Sequence, residues 1–199
     1  MPALAITGTI GSGKSLVLAS LKNLLRAEIY SADEENRRLL DTDPEVKRLI
    51  LSRLGSSCYR EDGTADRKVL FDIIRSMPEA RTALEEILHP RLAERWKPQA
   101  KHFSQSTKEF FIAEIPLLFE KHLEVFFDKT VVVGCSDSVR RERLLQTRSL
   151  TVKETAAWSD MQEPQKSKIA RADHLIWNDG SKAMLHGQTH LLATLFLQQ

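Results

Sequence analysis

The sequence predicts an α/β fold: a doubly wound, parallel, five-stranded sheet interrupted by two helical insertions. Short apolar runs of strand length recur along the chain, and the stretches between them repeat apolar residues at helical spacing. A glycine-rich segment links the first run to the first helical stretch.

Ala3-Leu4-Ala5-Ile6-Thr7 is an apolar run ending before Gly8, the pattern of a strand buried on both faces. Residues 109–114 and 129–135 have the same character, while 28–30 and 175–177 give weaker strand signals. Strands separated by helical segments imply right-handed crossovers. Helix starts are marked by capping-box spacings at Ser31 with Glu34, Thr42 with Glu45 and Thr151 with Glu154. Residues 41–108 contain no strand signal; Val69, Leu70, Ile73 and Ile74, then Leu84, Ile87 and Leu88, recur with helical periodicity. Glu61-Asp62-Gly63 reads as a turn within that stretch. The plan is a core of about 1–32, 109–137 and 171–199, a helical insertion over about 33–108, and a polar one over about 138–170.

Composition narrows the function classes. A net charge of +2 over 199 residues is too small for a nucleic-acid-binding surface. The two cysteines, Cys58 and Cys135, form no CxxC pair, and the six histidines show no paired-ligand spacing, so buried reduced thiols are expected and a zinc site is not. The most apolar run, 191–197, is too short to span a bilayer. No basic stretch followed by an apolar segment opens the chain, so the cytoplasm is the expected location. No sequence feature specifies an oligomeric state.

Gly8-Thr9-Ile10-Gly11-Ser12-Gly13-Lys14-Ser15 matches G-x-x-x-x-G-K-[ST] at every fixed position, with a buried strand before it and an apolar-periodic helix after it. The glycines let backbone N–H groups converge on phosphate oxygens, and the helix dipole adds to that field. Lys14 is expected to reach the β- and γ-phosphates and the Ser15 hydroxyl to ligate Mg²⁺. The motif announces nucleotide binding.

Several kinds of phosphate-loop protein share it. A GTPase switch would carry N-K-x-D, whereas Asn178 is followed by Asp179-Gly180. A motor or transporter ATPase needs a larger core. A small-molecule kinase remains, with a catalytically silent nucleotide-binding regulator as the alternative from another class. A kinase needs an orienter for the acceptor hydroxyl, and Asp33, just beyond the second strand, falls at the carboxyl edge of the sheet. A first-turn aspartate favoured by the helix dipole explains Asp33 as well. Glu114 ends the third strand, either as an outer-sphere Mg²⁺ partner or as a solvated strand terminus. Arg140 and Arg143 share a helix face, with Arg148 beyond, and suit either a cationic lid or a solvated basic face.

Taken together, these residues resemble the dephospho-coenzyme A kinase family over nearly the whole chain. Besides the loop, Ser31-Ala32-Asp33 resembles the family's D-A-D element, and 61–67 with Leu70 and Phe71 resembles its D-G-x-x-x-R region, with Phe71 earlier than the family's phenylalanine. Leu84-Glu85 with His89-Pro90 matches L-E-x-[IL]-x-H-P, and Glu114-Ile115-Pro116-Leu117-Leu118-Phe119-Glu120 is similar to D-[IV]-P-L-L-F-E. Gln162, Lys168, Ala172-Asp173 and Asn178-Asp179-Gly180 follow the closing pattern. The resemblance implies ATP and dephospho-coenzyme A as partners and Mg²⁺ as cofactor. It makes 33–108 the coenzyme A-binding insertion and 138–170 the lid. Asp33 would activate the ribose 3′-hydroxyl, with Lys14 and Arg143 as catalytic cations. Residues 8–16, including Thr9, Ile10, Gly11, Ser12, Gly13 and Leu16, would bind ATP with Arg143, Arg148 and Asn178. Arg67, His89, Pro116 and Leu117 would meet the acceptor, and Asp33 and Glu114 are candidates to hold Mg²⁺ through water. Departures are Thr9, Leu16 (expected to pack in its helix), Ser31, Glu114, and Gln165 where the family often has a lid arginine. The last implies weaker stabilisation of the transferring phosphoryl group.

Overall fold

The computed structural model describes residues 3–105, 109–147 and 162–198. Its strands are β1 (Ala3–Thr7), β2 (Glu28–Ser31), β3 (Phe111–Glu114), β4 (Lys129–Gly134) and β5 (His174–Trp177). Its α-helices are α1 (Lys14–Leu25), α2 (Ala32–Thr42), α3 (Pro44–Leu54), α4 (Arg67–Ser76), α5 (Pro78–Ser104), α6 (Asp137–Thr147), α7 (Gln165–Arg171) and α8 (Lys182–Leu197). By contacts the chain divides into two compact units, Met1–Ser31 with Lys97–Gln199, and Ala32–Trp96.

The first unit holds the sheet, all parallel, in the order β2-β3-β1-β4-β5. Every residue of β1 and β3 is buried, which is why they read as unbroken apolar runs: water reaches neither face. β2 and β5 are the edges and bury only part of their length, so their sequence signals are weaker. At the β5 edge, the Gln188 carboxamide accepts from the Trp177 N–H at 2.9 Å and donates to its carbonyl at 2.8 Å. That satisfies backbone groups an edge would otherwise expose.

Leu4, Ile6, Val17, Leu21, Ile112, Val131, Val133, Ile176 and Phe196 form one continuous core between the sheet and helices α1 and α8. The helices are joined by the Ser20–Thr189 hydroxyl contact at 2.8 Å. Each such side chain contributes about 1.5–3 kcal/mol on burial. Exposed pairs such as Arg48–Glu45 are screened by water and salt, so burial outweighs surface charge in holding the sheet.

β1 lies between β3 and β4, and the chain passes from one side of it to the other between β3 and β4. The carboxyl end of β1 is therefore the switch point where an open parallel sheet binds ligands.

In the second unit, α3 is capped by Asp43, whose carboxylate accepts from the Glu45 and Val46 N–H groups at 3.0 and 2.9 Å. This corrects the capping box read at Thr42: Pro44 occupies N1, and the Thr42 hydroxyl turns back to the Arg38 carbonyl at 2.8 Å. Asp66 caps α4 in the same way as Asp43. The turn expected at 61–63 is present, with Gly63 at φ 77 and Tyr59 bridging Ala65. α5 continues through Pro90 and Pro98, although each proline withholds one N–H from the helical ladder. The Thr151–Glu154 spacing lies outside the described residues.

Both cysteines are free and buried, and burial pushes each thiol's pKa up. At pH 8 the native protein should react with a disulfide reagent far more slowly than a free thiol, whereas in guanidinium both cysteines should titrate at once. Rapid native labelling would contradict the burial.

Candidate active site

The phosphate loop occupies the turn between β1 and α1. Gly8 has φ 149, and a Cβ there would stand 2.3 Å from the Val133 carbonyl oxygen; Gly13 has φ 94, and a Cβ there would stand 2.2 Å from Asn178 Nδ2. Both positions need glycine for conformation and for room. Lys14 is buried, and its Nζ donates to the Gly8 and Thr9 carbonyls at 3.1 and 3.2 Å. The Ser12 hydroxyl is buried and has no hydrogen-bond partner among the described residues, the kind of group that a phosphate oxygen completes. Ser15 is exposed in the first turn of α1. Leu16 beside it is 54% exposed, so it does not pack in the helix core as expected.

The outer side of the loop is held by residues that arrive from far along the chain. Asn178, nearly fully buried, donates from Nδ2 to the Ser12 carbonyl at 2.8 Å, and its own N–H donates to the Gly134 carbonyl at 2.7 Å. Arg143, on α6, donates to the Asn178 carbonyl at 2.9 Å and reaches the Ser12 carbonyl at 3.5 Å. Arg140 pairs with Asp137 at 2.9 Å while its aliphatic stem, with Leu144, lies over Gly11. Ser136 N–H donates to the Asp179 carboxylate at 2.6 Å; burial pushes that carboxyl up, but the bonds from Ser136 outweigh it and hold it below its usual range.

Glu114 is buried at the end of β3, where Ser31 Oγ donates to it at 3.0 Å. It is not the solvated strand terminus that was one reading of its position. The Pro116 carbonyl, two residues on, accepts from Thr7 Oγ1 at 3.2 Å, so Pro116 adjoins the residue that precedes the loop. Leu117 beside it is half-buried. The structure thus gathers residues 8–15 with Pro116, Arg143 and Asn178, and places Glu114 at the same end of the sheet.

Gln165, which stands where the resemblance expects a lid arginine, bonds to the backbone after β4. At the start of α7, its Oε1 accepts from the Cys135 N–H at 3.1 Å and its Nε2 donates to the Cys135 carbonyl at 2.8 Å. An arginine has no acceptor and could not make that reciprocal pair. Gln162, Glu120 and Lys168 also converge here, and sequence reading gave them no role. Lys168 is fully buried, pairing with Glu120 at 2.8 Å and donating to the Pro116 carbonyl at 2.9 Å. Their only sequence signal is a place in the Q…K pattern and in the segment ending at Glu120. Arg148 lies outside the described residues.

Asp33, Arg67 and His89 belong to the second unit. Asp33 stands in the first turn of α2 and is half-buried, as is His89 in α5. Arg67 opens α4 and pairs with Asp41 at 2.7 Å, while the other Asp41 oxygen accepts from the Ala65 N–H at 3.0 Å. Burial raises the Asp41 carboxyl, but these hydrogen bonds and the guanidinium outweigh it and hold its pKa below the usual value.

A central parallel strand feeding a complete phosphate loop, with cations and a carboxylate at the same sheet edge, defines an ATP-dependent kinase of the phosphate-loop class. The family model described as dephospho-CoA kinase matches residues 3–183, and the chain belongs to that family. Among curated relatives, a dephospho-CoA kinase domain-containing protein from Danio rerio is 35% identical, covering 92% of this chain and 80% of its own length. A dephospho-CoA kinase from Chlorobaculum tepidum is 33% identical over 92% and 89%. Among solved structures, TT1252 from Thermus thermophilus aligns with a TM-score of 0.76 at 30% identity over 99% and 97% of the two chains. The dephospho-CoA kinase from Campylobacter jejuni gives 0.62 at 25% identity over 97% and 96%. A shikimate kinase from Acinetobacter baumannii, at 0.53 and 14%, shares the fold.

Two outcomes follow from the geometry. Gly13→Ala should abolish ADP binding measured by calorimetry, because φ 94 strains any Cβ and Asn178 occupies its space. Asp41, with a depressed folded pKa, stabilises the protein above the unfolded carboxyl value of about 3.9, and that contribution is lost as pH falls through the folded value. Asp41→Asn should therefore lower the urea midpoint at pH 7, with the difference from wild type shrinking only below the unfolded carboxyl value, as pH falls through the depressed folded one. A difference independent of pH would remove the carboxylate from that role.

Proposed function

We propose that this chain transfers the γ-phosphoryl group of Mg·ATP to the ribose 3′-hydroxyl of dephospho-coenzyme A, giving coenzyme A and ADP. The observation that carries the reading is a phosphate loop complete at its fixed positions within a chain matched to the dephospho-CoA kinase family over 3–183.

Residues 8–16 cradle the triphosphate, Lys14 spans its β- and γ-oxygens, and Asn178 lies on the adenine side of the loop. Arg143, with Arg148, stabilises charge on the transferring group through a planar fork of donors. Asp33 accepts or orients the proton of the 3′-hydroxyl. Arg67 and His89 meet the acceptor, as do Pro116 and Leu117. The buried Glu114 and the exposed Ser15 hydroxyl fit Mg²⁺, which keeps several waters and is held by one or two protein oxygens together with phosphates. When bound, Mg²⁺ supplies charge neutralisation between the β- and γ-phosphates. Ser15 would ligate it directly, and Asp33 and Glu114 through water. No described helix is long and apolar enough to cross a membrane. The two buried reduced thiols fit a cytoplasmic setting.

Incubation with Mg·ATP and a panel of acceptors, read by mass spectrometry, should yield coenzyme A from dephospho-coenzyme A. Phosphorylation of another acceptor instead would overturn the substrate, and ATP binding without any phosphorylated acceptor would favour a regulator. Asp33→Asn should lower kcat by about 10²-fold or more, the range for a positioned acid–base group, with ATP affinity within about twofold of wild type. Arg143→Ala should lower kcat as well; unchanged kinetics would exclude it from the reaction.

A further inference from the structure

Residues 162–171, at the end of the second insertion, lead into β5, and several of their side chains run back into the core. Gln162 Oε1 accepts from the Ile10 N–H of the phosphate loop at 3.1 Å, across 152 positions of sequence. Gln165 forms its two-bond ring with the Cys135 peptide groups, and the same Oε1 lies 3.5 Å from the Thr9 hydroxyl. Consecutive residues of the loop, together with the residue that follows β4, therefore end on two carboxamides of one stem.

The stem is itself anchored. The Lys168 ammonium is fully buried between Glu120 and the Pro116 carbonyl, at 2.8 and 2.9 Å. Glu120 also accepts from the Glu163 N–H at 2.9 Å. Arg171 donates to the Phe119 carbonyl at 3.3 Å, lies over the Phe119 ring at 4.7 Å, and pairs with Glu124 and Glu163. A buried ion pair with all these partners fixes the far end of the stem, so the glutamines at the near end are held against the loop with little freedom.

We propose that Gln162 and Gln165 are positioning residues for the nucleoside triphosphate. They hold Ile10 and Thr9 in the register in which the following N–H groups converge on the nucleotide's phosphates, ADP's included. The amide chemistry is specific: Gln165 must donate to and accept from one backbone residue, which a carboxylate cannot do because it lacks a donor. Thr9 and Gln165, two departures from the family pattern that are unrelated in sequence, are neighbours here. The inference rests on the kinase reading only in taking ATP as the ligand of the loop.

The test uses the full chain with Gln162→Met and Gln165→Met, which keep volume and remove polarity, and Lys166→Ala on the exposed side of the same helix as control. Each Met variant should raise the KM for ATP about tenfold, the loss of roughly one hydrogen bond, and leave the KM for dephospho-coenzyme A within about twofold. Melting temperature should stay within a few degrees of wild type. Gln165→Glu should regain ATP affinity as pH is lowered, because the protonated acid restores both donor and acceptor; Gln165→Met should not. ADP affinity measured by calorimetry reads the inference even if no coenzyme A forms, so failure of the acceptor assignment is distinguishable. An unchanged KM for ATP in both Met variants would overturn the proposal. Equal rises in both KM values accompanied by a lowered melting temperature would do so too, since that is loss of fold alone.

Discussion

Everything in the first unit depends on one constraint: several backbone N–H groups must converge on a point at the end of a strand that cannot move. Convergence demands a turn with positive φ where neighbouring atoms leave no space for a Cβ, hence Gly8 and Gly13. Immobility demands that β1 be central and paired on both sides, hence its complete burial between β3 and β4. A loop on an edge strand would have the same amides but no fixed place to aim them.

A convergent loop turns its N–H groups one way and its carbonyls the other, and those carbonyls still need donors. Lys14 takes those of Gly8 and Thr9, and Asn178 takes that of Ser12 with Arg143 at its limit of reach. The donors come from α1, α6 and the turn after β5, so the loop's geometry is a property of the folded unit. Each such bond contributes about 1 kcal/mol net, far less than the core beneath. Their value lies in fixing direction more than in adding stability.

Legibility in the sequence followed locality. The loop was readable because all of its fixed positions fall within eight consecutive residues flanked by a strand and a helix. β1 was clear and β5 faint because burial on both faces writes a stronger pattern than burial on one. Thr42 was misread as a cap because Asp43 and Pro44 together make a better start: an acceptor for two N–H groups, then a residue with none to satisfy. The bonding of Gln165 was not legible because its partner is the backbone of Cys135, and a backbone partner leaves no trace in residue identities. Lys168 and Glu120 stood in motifs without roles, since nothing local shows a lysine at position 168 to be fully buried.

The sequence by itself determined the phosphate loop, the alternation of strands and helices, and the order of the family's motifs, because each is written in short-range spacing and periodicity. Tertiary structure alone decided that Glu114 is buried, that Leu16 is exposed, and that Asn178 and Arg143 grip the loop's carbonyls. It also placed the stem glutamines on Thr9, Ile10 and Cys135. The physical reason is that hydrogen bonds and desolvation act between residues that folding brings within about 3 Å, here across as many as 169 positions of chain, and no local pattern records such a pairing.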